Sequence, residues 1–175
     1  MRSRRVSKAL NVGDVKVGGD APITVQSMTK TDTRDVDATV AQIKQLEEAG
    51  CEIVRAAVPD MEAASALAEI KRQTKIPLIA DIHFHYQLAL ESLKSGVDCL
   101  RLNPGNIRDR EKVETIVLEA KARGVPIRIG VNFGSLPPVG GIGMTRGLSR
   151  HKDGVNTLLK GGEAGVGEFS VVNHM

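Results

Sequence analysis

Three arginines in this chain stand at the ends of short apolar runs: Ile53-Val54-Arg55, Cys99-Leu100-Arg101 and Pro126-Ile127-Arg128. Asn103 follows Arg101 by two residues, and Arg128, Gly130 and Asn132 alternate along one stretch. In a β-strand, a spacing of two sends side chains to the same face, so Arg101 and Asn103 share one face while Leu100 and Leu102 share the other. Guanidinium forks match phosphate and carboxylate in bidentate fashion, and three of them in one mouth repel each other unless an anion sits between them. A polyanion the size of a diphosphate is the guest such a set implies; the alternative is that each arginine pairs with a neighbouring acid. Asp81-Ile82-His83 adds a carboxylate and an imidazole at the end of another apolar run. With His85 they suggest a divalent metal site, but no third ligand is evident, and a hydrogen-bonding or proton-carrying pair is the simpler reading. Asn103 and Asn132 suit either a ligand hydroxyl or a loop turn.

The elements that must carry these residues alternate. Val6 to Val25, with Val12-Gly13-Asp14 and Gly18-Gly19-Asp20, predicts a β-hairpin leading into a strand near Ile23–Ser27. Val36, Val40, Ile43 and Leu46 predict a helix over 35–49, with N-caps among Thr31, Asp32 and Thr33, and Gly50 ends it. Strands are expected at 52–58, 76–81, 99–103 and 127–131, and helices at 61–73, 86–95 and 110–123. Strand and helix in turn, joined by short connections, imply a parallel sheet with right-handed crossovers. A repeat favours a closed design. Gly50-Cys51-Glu52-Ile53-Val54-Arg55 is answered 46 residues later by Gly96-Val97-Asp98-Cys99-Leu100-Arg101, and Pro77 and Pro126 each lead into a strand. A βαβα unit used twice is what a (β/α)8 barrel contains, and no GxGxxG follows the first strand. The fold expected is α/β: an incomplete TIM-type barrel of about five strands and four helices over residues 1–136, with a hairpin before it. Residues 137–175 differ: nine of the eighteen glycines lie between Val139 and Gly167 without period. They read as an irregular, Gly-rich tail.

Composition excludes several classes. A net charge of +3 and 2% aromatic residues do not support nucleic-acid binding, which draws on basic stripes and stacking platforms. No apolar run approaches the ~20 residues of a membrane span. Met1–Arg5 is basic but no apolar segment follows, and Cys51 and Cys99 stand apart at the starts of apolar runs, as buried thiols do. The expected location is the cytoplasm. Apolar edges on the first and fifth strands of an open barrel should drive aggregation or homodimerisation.

Val25-Gln26-Ser27-Met28-Thr29, Glu52-Ile53-Val54-Arg55, Ala80-Asp81-Ile82-His83-Phe84, Arg101-Leu102-Asn103-Pro104-Gly105-Asn106 and Arg128-Ile129-Gly130-Val131-Asn132 with Gly134-Ser135-Leu136 resemble, in order, the N-terminal barrel of the 4-hydroxy-3-methylbut-2-enyl diphosphate synthase family. The resemblance covers about residues 10–136. It implies an oxidoreductase of non-mevalonate isoprenoid (terpenoid) biosynthesis that reductively opens 2-C-methyl-D-erythritol 2,4-cyclodiphosphate. It also implies a [4Fe-4S] cluster on a separate C-terminal domain, reduced by ferredoxin or flavodoxin. Carried onto this chain, Arg55, Arg101 and Arg128 would clamp the diphosphate, Asn103, Asn132 and Ser135 would add hydrogen bonds, and Asp81 and His83 would line the mouth. His85 stands where that family more often has an aspartate. The cluster cysteines have no counterpart in Cys51 and Cys99, so no cofactor or metal is expected on these residues and the chain reads as a catalytically incompetent fragment. A frameshift read through after residue 136 would account for the tail. Two other readings stay open: a pterin-binding barrel of dihydropteroate synthase type, and a non-catalytic module that binds a phosphorylated metabolite.

Overall fold

The computed structural model describes residues 7–103, 105–107 and 109–130, together with the backbone of the pair 170–171. A short antiparallel hairpin, β1 (Leu10–Val12) and β2 (Val15–Val17), precedes a parallel sheet. In that sheet β3 (Gln26–Met28), β4 (Ile53–Val58), β5 (Leu78–Ile82), β6 (Cys99–Leu102) and β7 (Ile127–Ile129) lie in chain order. Between them run α1 (Val36–Glu48), α2 (Met61–Gln73), α3 (Tyr86–Lys94) and α4 (Arg110–Ala122). The five expected strands and four expected helices are all present. A sixth strand, β8 (Ser170–Val171), was not expected from the apolar pattern; it adds two residues in parallel beside β7.

Local chemistry sets the ends of the helices. Asp35, at the end of the polar loop 29–35, caps α1 by accepting from Ala38 N at 3.0 Å. The nearby threonines are engaged elsewhere: Thr31 bonds Thr39 side chain to side chain, and Thr33 donates to the Ala57 carbonyl at 2.7 Å. Asp60 caps α2 through Ala63 N at 2.9 Å. Such caps satisfy N–H groups that have no partner within the helix. The first strand begins three residues later than its apolar pattern suggests, since Ile23 and Val25 are exposed and pairing starts at Gln26.

The repeat seen in the sequence has a structural purpose. Glu52 accepts from Val25 N at 2.8 Å, and its counterpart Asp98 accepts from Leu78 N at 2.7 Å. Each acid thus ties the start of the strand before its own, an N–H beyond the reach of the regular ladder. Lys71 closes the second of these contacts, 2.6 Å from Asp98.

Alternation divides the sheet into two faces. Val54, Ala56, Val58, Leu78, Ala80, Ile82, Leu100 and Leu102 point outward and pack against Ile43, Leu67, Ile70, Leu88, Leu93 and Ile116 of the helices. This is the larger core. On the inner face Ile53, Ile79 and Cys99, each at or next to the start of its strand, form a second cluster with Val12 of the hairpin, and Val15 and Val17 lie against it. The hairpin therefore closes the N-terminal end of the sheet's inner face. Its tip needs a glycine: a Cβ on Gly13 would fall 3.0 Å from Pro77 and 3.1 Å from Asp98 Oδ1.

Candidate functional site

One step above the Ile53–Ile79–Cys99 cluster, toward the C-terminal ends of the strands, the inner face turns polar. Register decides which groups meet. Asp81 on β5 is level with Arg101 on β6, and Arg101 is level with Arg128 on β7. On β4 the residue level with Asp81 is Ala57, and Arg55 lies one inward-facing step before it. The alanine leaves room for the longer Arg55 side chain to reach Asp81.

Asp81 is 2% exposed and sits at the centre. Its Oδ1 lies 3.0 Å from Arg101 Nη1 and 3.4 Å from His83 Nε2, and its Oδ2 lies 3.3 Å from Arg55 Nε. The acid expected beside His83 is thus also the carboxylate between two of the arginines. Arg101, 7% exposed, also donates from Nη2 to the Gly130 carbonyl at 3.1 Å. Arg55 is less well served. Its Nη2 rests on the Met28 sulfur at 3.3 Å, a weak acceptor, and its buried Nε makes no hydrogen bond despite the nearby Asp81 charge. Arg128 donates to the side chain of Gln26, on the opposite side of the inner face. Burial, and then the charges on Arg55 and Arg101, push the Arg128 guanidinium below the ordinary arginine range. The three cations are close enough to feel one another.

The remaining candidates divide. Asn103 is 2% exposed, and its Oδ1 accepts from Gly105 N at 3.0 Å, holding the turn after β6. His83 is partly exposed, with Phe84 tilted beside it at 6.0 Å between ring centroids. His85 is exposed at the start of α3 and gives that helix no side-chain cap. Asn132 and Ser135 lie outside the described residues. Among the described residues no group of three or more His, Cys, Asp or Glu gathers as for a metal. Cys99 is buried under the arginine layer, and burial pushes its thiol up to about 12. Cys51 is buried too and donates to the Ile53 carbonyl at 3.1 Å. Two separated, buried thiols do not fit a [4Fe-4S] cluster, which takes thiolates converging on one point.

Sequence reasoning missed Gln26 and Met28, the partners of Arg128 and Arg55. Both lie on the inner face of β3, and strand parity would have found them had the strand been placed at Gln26. No helix among the described residues is long and apolar enough to cross a membrane, and the N-terminal hairpin covers the far end of the site.

Comparison with known proteins agrees with this architecture. The chain is 64% identical over 137 residues to 4-hydroxy-3-methylbut-2-en-1-yl diphosphate synthase (flavodoxin) of Dehalococcoides mccartyi. It is 62% identical over 137 residues to the protein of that name in Thermodesulfovibrio yellowstonii. Each match covers 78% of this chain and 39% of the relative, so the chain spans well under half the length of these relatives. Among solved structures it superposes on the dihydropteroate synthase of Vibrio fischeri with a TM-score of 0.65 at 12% identity, over 96% of this chain and 67% of that one. A phospho-2-dehydro-3-deoxyheptonate aldolase from Thermotoga maritima gives a TM-score of 0.53 at 13% identity, over 72% and 37%. Identities this low speak for the barrel fold alone. With a parallel α/β sheet, an arginine-lined inner face and residues 7–141 matching the GcpE TIM-barrel domain, the chain belongs to the GcpE TIM-barrel family.

Proposed function

We propose that this chain is the substrate-binding barrel of a 4-hydroxy-3-methylbut-2-enyl diphosphate synthase, and that its arginine layer receives the diphosphate of 2-C-methyl-D-erythritol 2,4-cyclodiphosphate. One observation carries the reading. Arg55 and Arg101 share a single carboxylate, so the pair keeps a net positive charge, and Arg55 Nε, 3.3 Å from Asp81 Oδ2, is in ion-pair range without a well-formed hydrogen bond. A buried donor without a well-formed hydrogen bond is costly, and a phosphate oxygen is an acceptor that lowers the cost and neutralises the excess charge together. Arg128, pressed by both neighbours, gains from the same anion.

In this reading the residues do three things. Arg55, Arg101 and Arg128 bind and orient the diphosphate, with Asn132 and Ser135 as further hydrogen-bonding groups. Asp81 holds the first two guanidiniums in place before the ligand arrives, so less ordering is lost on binding. His83, half in solvent beside Asp81, stands where it can donate to or accept from a ligand oxygen. Asn103 shapes the loop over the mouth. Because the described cysteines do not fit a [4Fe-4S] cluster, no redox step is assigned to these residues. The electrons of the whole protein's reaction, from flavodoxin as in the relatives' names or from ferredoxin, enter elsewhere.

Calorimetry of the 175-residue chain with the cyclic diphosphate, against a pterin diphosphate, tests the proposal. Heat with the cyclic diphosphate, lost in Arg55→Gln and Arg101→Gln, is expected. Preference for the pterin, or no heat with either compound, overturns it. Reductive ring opening by these residues alone with reduced flavodoxin is expected to be undetectable, and turnover would show that the redox assignment is wrong.

A further inference from the structure

We propose that Gly130 is a positioning residue for Arg101, and that its lack of a side chain sets where this guanidinium stands to meet the anion. The two residues belong to neighbouring strands, and the fit between them is close. A Cβ built on Gly130 would stand 2.7 Å from Arg101 Nε, 3.0 Å from Nη2 and 3.2 Å from Cζ. Both nitrogens are nearer than Cζ, so the Cβ would stand off the Nε–Nη2 edge of the guanidinium, and that edge is drawn up against the Gly130 backbone. Two of the nitrogens are anchored, Nη1 to Asp81 Oδ1 at 3.0 Å and Nη2 to the Gly130 carbonyl at 3.1 Å. Gly130 therefore holds Arg101 twice, by an acceptor for Nη2 and by open space at the Nε–Nη2 edge.

The backbone at Gly130 is not free to retreat. Its N–H donates to the Leu102 carbonyl at 3.0 Å, which continues the β6–β7 pairing past the end of β7. Its φ lies outside the left-handed region, so alanine is tolerated there by the main chain. The atoms an alanine meets first all belong to Arg101. To regain ordinary van der Waals separation the guanidinium must move by more than about half an ångström. With Asp81 fixed on one side, that motion shifts the fork from its place beside β7. Bidentate recognition of an anion depends on that placement, so a small displacement has a large effect on affinity.

The consequence for ligand binding rests on the diphosphate reading, but the placement of Arg101 is measurable without ligand. The experiment follows the Arg101 Nε–Hε signal by NMR in the 175-residue chain, assigned through its loss in Arg101→Lys, alongside titration with inorganic pyrophosphate. In Gly130→Ala the Arg101 signal is expected to shift and its proton to exchange faster with water. Pyrophosphate affinity should fall by about tenfold or more, the order expected for losing one charge-assisted contact. In an Arg101→Ala background the Gly130→Ala change should alter neither affinity beyond about twofold nor the melting temperature, because the clash is gone. An unmoved Arg101 signal, or an equal loss of affinity in both backgrounds, overturns the proposal. If Gly130→Ala does not fold while the double variant does, the clash with Arg101 is the cause and the proposal stands. If neither folds, Gly130 serves the backbone and the proposal fails. Absence of pyrophosphate binding by the unmodified chain removes the diphosphate reading, and the Arg101 signal then decides the positioning role by itself.

Discussion

Asp81→Asn is the substitution that asks most of this arrangement. It keeps the shape of the side chain, removes its charge and turns an NH2 group toward guanidinium donors. Asp81 is 2% exposed and contacts Arg101 at 3.0 Å, Arg55 at 3.3 Å and His83 at 3.4 Å. Neutralising one partner of a buried ion pair leaves a desolvated charge behind and costs about 3–5 kcal/mol. The Arg101 side chain is only 9% exposed and feels this in full, whereas that of Arg55 is 23% exposed and can relax toward water. The loss should therefore sit near the lower bound, about 3 kcal/mol, a fall in melting temperature of roughly 6–12 °C for a chain of this length. Urea and thermal unfolding followed by circular dichroism measure it. The same experiment run in excess pyrophosphate carries the sharper test. The anion supplies the negative charge that the variant has lost, so the ligand-induced rise in melting temperature should be larger in Asp81→Asn than in the unmodified chain. A variant that melts within about 1 °C of its parent would falsify the buried-triad reasoning, as would a smaller pyrophosphate effect.

Other consequences can be checked with simpler variants. Asp35→Ala removes the acceptor for Ala38 N and should cost about 1 kcal/mol in urea unfolding, while Asp37→Ala, beyond the cap, should cost less. A thiol raised to about 12 favours its neutral form in the folded chain, whereas the unfolded chain ionises near its ordinary value of 9.0. The contribution of Cys99 is thus complete below pH 9 and is lost as pH rises from 9 toward 12. The stability difference between the chain and Cys99→Ala should narrow over that range, and a difference constant with pH would count against it. Ile23, 95% exposed, and Val25, 55% exposed, stand beside the open edge of β3. Light scattering of Ile23→Lys/Val25→Lys should show less association than the parent, and an unchanged mass would mean that association lies elsewhere.

Much of this protein is legible along the chain. Apolar spacing and glycine punctuation marked four helices and five parallel strands, because burial of one face imposes a period of 3.6 or 2 on any sequence that folds this way. Parity alone put Arg101 and Asn103 on one face and Leu100 and Leu102 on the other; the structure sets Arg101 against Asp81 and the two leucines in the helix-packed core, while Asn103 holds the turn after β6. The repeat signalled that Arg55 and Arg101 are equivalent. Distance across the sheet was beyond the reach of pattern. That Asp81 faces Arg101 while Ala57 makes space for Arg55 depends on the register of three strands, and register follows from packing that involves every helix at once. Gln26 reaches Arg128 from 102 residues away, and a hairpin that reads as a preface closes the barrel's end through Val12. Gly130 reads in the sequence as one more glycine near a strand end, and only the guanidinium edge drawn up against it gives the missing side chain a purpose. The sequence determined which groups face inward, since that is a local matter of alternation. The tertiary structure decided which of them touch, since contact between strands far apart in the chain is settled by the packing and register of the whole sheet.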